Sequence, residues 1–535
     1  MKHRLMRNVG LLDLALVCLG TLCVAGACLA AEVGAATGPA SKARLDRIVD
    51  DTVARYDLPG IAVGVIEEGR VTYMATRGET VAGSGHAITS DTVFKIASNS
   101  KAMTASVLAR LVDAGKLRWE DPVTRYLPEF RMYDPWVTRE MQVKDLLVHN
   151  SGLPQGGGDL MLWPEPNHFT RKDIIAGLAH IKPAYSFRSG YAYDNLLYVV
   201  AGEVAASAAG VPYEALVRRE VFEPLALDGC RVGEWKSGAD DDVAQPHARR
   251  EGRNIVVKPD GGRVPVLVSA AAGGIRCSLA DMLAWARNWV EPDARAMAWL
   301  SAEQRRQAWV PRTPMPVSQR RREWDGTRFY AYGYGWRIAD VDGEMTVSHT
   351  GTLSGMYSVM TLLPDRKSAF VVLINGEAED ARTVLNEMLL KYFTRSTDRK
   401  EVSFYASQLD DEARRQKSKA PLPARTRTDA SSSSLKDWLG VYRDPWFGEA
   451  RLCPRQDQVR FEAAKSPLLA GKIVDSGDRR LIDWDDDSVD LEAWVELQQD
   501  AATGLRRMRL AKVDPDGDFS FDYEDLAFER VDDCG

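Results

Sequence analysis

Phe94-Lys95-Ile96-Ala97-Ser98-Asn99-Ser100-Lys101 runs straight into an apolar helical pattern from Ala102 to Leu117, and the reading of the whole chain turns on it. A helix that begins near Ser98 puts the Ser98 hydroxyl and the Lys101 amine one turn apart on one face, at i and i+3. A serine hydroxyl becomes a nucleophile only when a nearby base takes its proton, and lysine is such a base only where burial or neighbouring positive charge lowers its pKa. The start of such a helix also directs backbone N–H groups at a developing oxyanion. Taken alone, the pattern reads equally as a serine capping a helix, and Ser433-Ser434-Leu435-Lys436 repeats the spacing inside a run of serines. Context has to decide.

The chain has 535 residues and a net charge of −7, which at roughly 150 residues per domain allows two to four domains. A mildly acidic balance gives no reason to expect nucleic acid or an anionic membrane as partner. Residues 1–31 read as a secretory signal: Lys2, His3, Arg4 and Arg7, then an apolar stretch from Val9 to Ala27, then small residues at Ala30 and Ala31 for cleavage. The protein is therefore expected to be exported, periplasmic or secreted, with no stable membrane insertion after signal removal. A membrane anchor is opposed by Asp13 and by the small-residue end. Lipidation of Cys28 stays open, with Ala25 standing where an aliphatic residue would be expected. Outside the signal only Cys230, Cys277, Cys453 and Cys534 remain. No C-x-x-C or neighbouring histidine accompanies them, so they make no metal site, and a Cys453–Cys534 bridge is left open.

In order along the chain, Leu45 to Tyr56 is an amphipathic helix, and Ile61 to Ile66 and Val71 to Thr76 form an antiparallel hairpin across Glu67-Glu68-Gly69. Gln155 to Asn167 is a Gly- and Pro-containing loop; its Gly156-Gly157-Gly158 lacks the Lys-Ser or Lys-Thr of a phosphate cradle and reads as a flexible rim. Tyr193-Asp194-Asn195 enters an apolar helix, Leu196 to Ala206. A phenol beside a lysine can shuttle a proton, and an amide side chain can bond both that lysine and a substrate carbonyl, although a lone tyrosine is also an ordinary packed aromatic. A small-residue turn, Ala270 to Arg276, precedes a helix from Ser278 to Val290, and Tyr332 to Ile338 is strand-like. Met345 to Asn375 reads as three strands, the first closed by Ser348-His349-Thr350-Gly351-Thr352. Glycine there lets a substrate backbone approach, and the Thr352 N–H is a candidate second oxyanion donor. Lys236-Ser237-Gly238 mimics that motif in a polar loop with no strand around it.

S-x-x-K, then Y-x-N, then H-T-G on a strand, in that order, resembles the penicillin-recognising serine hydrolases, and within them the class C β-lactamase-like branch of β-lactamases, D-aminopeptidases, D-alanine carboxypeptidases and esterases. Asp121 to Phe130, Leu146 to Pro154, Phe222 to Leu225, Gly273 to Asp281 and Tyr332 to Trp336 add to the likeness. The resemblance covers residues 41–394 and implies an α+β fold: an antiparallel sheet flanked by helices, with a mostly helical subdomain. It implies an acyl-enzyme on Ser98, with Lys101 and Tyr193 sharing acid and base duty. Asn195 would orient Lys101 and the substrate amide, the N–H groups of Ser98 and Thr352 would form an oxyanion hole, and His349, Thr350 and Gly351 would line the substrate strand. No cofactor and no metal are implied. Where β-lactamases of this branch usually carry lysine, this chain has His349. A mostly neutral imidazole offers no fixed charge to a carboxylate, which favours D-amino-acid peptides, amides or short esters over β-lactams.

Residues 395–434 change to a charged, Pro- and Ser-rich composition and read as a linker with one short helix. Residues 435–534 read as short strands and turns, including a hairpin from Met508–Val513 to Phe519–Tyr523 across Asp516-Gly517. A calcium reading of Asp514, Asp516 and Asp518 is set aside because Gly517 is misplaced for an EF-hand loop. The segment resembles the small lipocalin-like, barrel-like β-domain that often follows such hydrolases. The expected protein is thus a serine hydrolase for a small-molecule or short-peptide substrate. The alternatives are a β-lactamase, a D-alanine carboxypeptidase, or an inactive peptide-binding scaffold.

Overall fold

The hairpin read around Gly69 is β1 (Gly60–Glu67) paired antiparallel with β2 (Arg70–Gly78). Successive side chains of a strand point to opposite faces. Ile61, Val63 and Val65 accordingly join one core with Phe370 and Val372, whereas Ala62 and Ile66 join another with Val371 and Leu373. Both faces being covered, every residue of β1 is buried and its sequence is apolar up to the closing Glu67. In the computed structural model, described for residues 39–535 apart from 237, 239–241, 396, 398–399, 418–426 and 457, the sheet continues through six more strands. They are β3 (Thr313–Pro314), β4 (Tyr330–Tyr332), β5 (Arg337–Val341), β6 (Glu344–Leu353), β7 (Met356–Leu363) and β8 (Ser368–Ile374). Their order is β2-β1-β8-β7-β6-β5-β4-β3, antiparallel throughout. The signal expected over residues 1–31, the Cys28 question and Ser237 of the mimic motif lie outside the described residues.

The three strands expected from Met345 to Asn375 are β6, β7 and β8. The single strand expected over Tyr332 to Ile338 is instead a tight hairpin: the Gly333 N–H donates to the Trp336 carbonyl at 2.8 Å, and Gly335 turns at φ 76°. Apolar aromatic residues at a turn imitate a strand when the turn is buried, as Tyr334 and Trp336 are.

Helices α1 (Pro39–Tyr56), α2 (Ser100–Asp113), α3 (Leu196–Ala209), α4 (Leu279–Val290), α5 (Glu379–Thr394) and α6 (Val402–Lys417) flank the sheet, giving the expected α+β architecture. The apolar sides of α1, α5 and α6 share the core of Val63 and Phe370, and α4 packs on the opposite face, where a Cβ on Gly64 would fall 2.5 Å from Leu283 Cδ1. Helices α2 and α3 are buried on nearly all sides; α3 is accordingly apolar over most of its circumference, whereas α2 buries Ser100, Lys101, Thr104 and Ser106 among its apolar residues. Helix α6 stands within the stretch read as linker, yet it buries Val402, Tyr405, Ala406 and Leu409 in the hydrolase core.

Beyond it, eight antiparallel strands between Gly440 and Asp532 close into a barrel when Ala470–Ser476 pairs with Arg479–Trp484; a short strand, Arg427–Asp429, adds to Ala470–Ser476. Closure leaves these strands no open edge. The Cys453–Cys534 bridge forms within this unit, and Cys230–Cys277, which the sequence left unpaired, forms in the hydrolase part. Two expectations are corrected together. Phe519–Tyr523 is no strand but part of a loop that leaves the barrel, and Gln155–Asn167 is no flexible rim, since residues 156–162 are buried beneath that loop. The Asp522 carboxylate holds the two segments together by accepting from the backbone N–H groups of Gly158 and Leu160 at 2.6 and 3.0 Å.

Candidate active site

Ser98 lies in a single 3-10 turn, Ala97–Asn99, that leads directly into α2. Ala97 is held at φ 48°, a left-handed conformation uncommon for alanine, and the surroundings enforce it. The Ser358 hydroxyl of β7 donates to the Ile96 carbonyl and accepts from Asn99 Nδ2, each at 2.8 Å, so one residue clamps both ends of the turn. From β6, Gly351 presses on the same turn: a Cβ there would sit 2.2 Å from the Ile96 carbonyl oxygen. Strand pairing between β5 and β6 stops at Ser348, so over residues 349–353 β6 pairs with β7 alone and its other edge has no strand beside it; the Gly351 carbonyl accepts from Arg382 Nη1 at 2.8 Å.

The expected helical geometry of nucleophile and amine is present. Lys101 Nζ is 3.1 Å from Ser98 Oγ, 2.7 Å from Asn195 Oδ1 and 2.9 Å from the Ala272 carbonyl oxygen. The last two atoms can only accept, so a neutral amine gives them its two hydrogens and keeps its lone pair for the Ser98 hydroxyl. Burial pulls the Lys101 ammonium down to about 7; Arg337 pushes the same way, while Asp159 and Asp194 oppose it. The Tyr193 ring lies 4.8 Å from Lys101 Nζ, and burial holds its phenol well above the ordinary value, against the influence of Arg337 and Ser98. Of the expected residues, Ser98, Lys101, Tyr193 and Asn195 therefore converge on one point. Thr350 and Thr352 lie in that stretch of β6, and their hydroxyls accept from Arg337 at 2.6 Å and from Arg382 at 2.7 Å.

His349 departs from expectation. Its Nδ1 is 2.7 Å from the Thr350 carbonyl, which can only accept, so Nδ1 carries the proton and Nε2 accepts from the Tyr332 hydroxyl at 2.7 Å. Both nitrogens are thus used within the protein and neither is offered to a substrate. The ring is fully buried, and burial, reinforced by Arg337 and Lys101, keeps it neutral.

A fixed positive charge does stand beside Tyr193 and Thr350, at Arg337 of β5, which the sequence did not signal. Its guanidinium lies over the Tyr193 ring, 6.0 Å from the centroid, its Nε is buried without a partner, and no carboxylate pairs with it among the described residues. Two further residues escaped the sequence. Asp159 accepts from Asn195 Nδ2 at 2.8 Å, and burial pushes its carboxyl up to about 8. His149 sits between Tyr193 and Tyr332, with ring centroids 4.3 and 4.4 Å away, and burial lowers its imidazole to about 4. Asp159 follows a run of glycines and Arg337 a run of aromatics, and neither pattern distinguishes a buried charge from a solvated one.

A family model described as Beta-lactamase matches residues 45–392. The chain belongs to the beta-lactamase family. Its relatives include "Unguisins hydrolase ungD'" of Aspergillus campestris (strain IBT 28561), 26% identical over 61% of this chain and 60% of that one. Another is "D-alanyl-D-alanine-carboxypeptidase/endopeptidase AmpH" of Escherichia coli (strain K12), 26% identical over 46% of this chain and 62% of that one. This beta-lactamase-family chain thus spans about three fifths of the length of both curated relatives. A solved structure, the octameric penicillin-binding protein homologue from Pyrococcus abyssi, aligns with a TM-score of 0.56 over 91% of this chain and 99% of that one. At 19% identity the likeness is one of fold, and it extends over most of this beta-lactamase-family chain.

Proposed function

We propose that the protein is an exported serine hydrolase that forms an acyl-enzyme on Ser98 and cleaves amide or ester bonds close to a substrate carboxylate, with D-amino-acid peptides as its class. One observation carries the reading. Lys101 Nζ is held by two obligate acceptors and 3.1 Å from Ser98 Oγ, in surroundings that leave the amine half unprotonated near neutral pH. The neutral amine takes the Ser98 proton as Oγ attacks the carbonyl carbon, and backbone N–H groups beside Ser98 and on the β6 edge stabilise the oxyanion. Tyr193, kept as a phenol, gives its proton to the leaving nitrogen or oxygen and recovers one from the Lys101 ammonium. Water then enters by the same route in reverse, its proton passing to the base as it attacks the ester carbon and Ser98 Oγ leaving reprotonated.

Arg337 amends the substrate expected from His349. A half-buried guanidinium without a carboxylate partner among the described residues is a site for one, so an acid beside the scissile bond is favoured rather than penalised. The name of the AmpH relative, a carboxypeptidase and endopeptidase of D-alanyl-D-alanine, supports that choice. Export is supported by the N-terminal pattern and by two disulfides, which persist in oxidising compartments. The test is labelling with a fluorophosphonate followed by mass mapping: wild type carries the label on Ser98 and Ser98→Ala carries none. Equal labelling of Ser98→Ala, or none of wild type, overturns the reading.

A further inference from the structure

The barrel meets the hydrolase part at the active site. From the loop that leaves the barrel, the Ser520 hydroxyl donates to Asp159 Oδ2 at 2.9 Å, the same oxygen that receives Asn195 Nδ2 at 2.8 Å. Two residues on, the Asp522 carboxylate takes the backbone N–H groups on either side of Asp159, those of Gly158 and Leu160. Asp159 and Asp522 are both fully enclosed, and Asp159 Oδ1 is buried without a partner. On the near side of the loop, the Phe519 ring meets the Tyr193 ring edge to face with centroids 5.9 Å apart. The approach is close enough that a Cβ on Gly156, at φ 70°, would fall 2.6 Å from the Phe519 carbonyl oxygen and 2.7 Å from its ring.

We propose that this barrel loop is a positioning element of the catalytic base, acting along Ser520, Asp159 and Asn195 to Lys101. The inference rests on the reading of Ser98 as the acylated nucleophile. An amide side chain can sit in two orientations that differ by exchanging O and NH2. If Asn195 turned over, its NH2 would face the Lys101 amine and the base would lose its 2.7 Å acceptor. An acceptor at Asp159 Oδ2 fixes the productive orientation, because only Nδ2 can donate to it. Ser520 fixes Asp159 in turn, and Asp522 fixes the backbone that carries it. Phe519 does the same for the ring of Tyr193 from the other side. Neither Ser520 nor Asp159 reaches the reacting atoms, and their effect is on where Lys101 and Tyr193 stand.

The test uses the full chain and the second-order rate of fluorophosphonate labelling of Ser98, together with kcat and KM for a short acyl ester. Ser520→Ala, a single hydroxyl removed from a loop, is expected to slow labelling and lower kcat roughly tenfold with KM unchanged, and Ser520→Thr to restore most of the loss. In an Asp159→Ala background, where the relay is already cut, Ser520→Ala should cost nothing further. Asp516→Ala, in the same loop but exposed, serves as the control and keeps wild-type rates. Wild-type labelling by Ser520→Ala, or a loss that adds in full to that of Asp159→Ala, overturns the proposal while leaving the serine-hydrolase reading intact. An unlabelled wild type overturns that reading instead.

Discussion

Lys101 Nζ stands 2.7 Å from Asn195 Oδ1 and 3.1 Å from Ser98 Oγ, so one amide decides which way the lysine's lone pair faces. If Lys101 and Tyr193 move one proton between them, Lys101→Ala and Tyr193→Phe each lower kcat by about 10²- to 10⁴-fold. The double variant then falls little below the worse single one, because groups that act as a unit are not additive. Steady-state kinetics on an acyl ester checks this, and fully additive losses would separate the two roles.

The pH dependence follows from the same lysine. Burial lowers Lys101 to about 7, and only the neutral amine accepts the Ser98 proton, so kcat/KM rises with pH and levels off above that value. Arg337 helps hold the ammonium down against Asp159 and Asp194, so Arg337→Gln moves the acid limb to higher pH. Tyr193 titrates far above its usual range and leaves the plateau wide. A profile flat from pH 5 to 9 would remove Lys101 from the role of base.

The proposed part of Arg337 in substrate choice is tested separately. A charge-assisted hydrogen bond contributes roughly 1.5–3 kcal/mol, so Arg337→Gln should cost a peptide with a free carboxylate about ten- to a hundredfold in kcat/KM. An uncharged ester should lose far less. Comparison of matched acid and amide substrates measures the difference, and an equal loss on both would leave the guanidinium a structural part.

Gly351 is tested by the smallest possible change. Gly351→Ala puts a methyl group where the Ile96 carbonyl oxygen already stands, 2.2 Å from the new carbon, so β6 or the nucleophile turn must shift. The expected result is a folded protein with a lower Tm whose Ser98 labels at least a hundredfold more slowly. Wild-type labelling would mean that the turn tolerates the displacement.

What could be read from the sequence was local. The β1–β2 hairpin, the α2 start and the β6 strand each announce themselves within a dozen residues, because period and turn chemistry are short-range signals. Tyr332–Ile338 failed where a buried turn carried strand-like residues. His349 was placed on the right strand, but its hydrogen bonds to Tyr332 and the Thr350 carbonyl depend on a partner from the neighbouring hairpin. Phe519–Tyr523 failed because its apolar residues answer to Tyr193 and Gly156 rather than to a neighbouring strand. No window on the sequence joins Ser520 to Asp159, which lie 361 positions apart.

That separation has a consequence in time. The Gly158 N–H finds its acceptor, Asp522, 364 residues further along the chain. At a synthesis rate of roughly 5–20 residues per second, about 20–70 seconds pass between the two leaving the ribosome. Through that interval the nascent hydrolase part has its nucleophile but not the clamp around Asp159. Ripening of the active site therefore waits on the barrel loop.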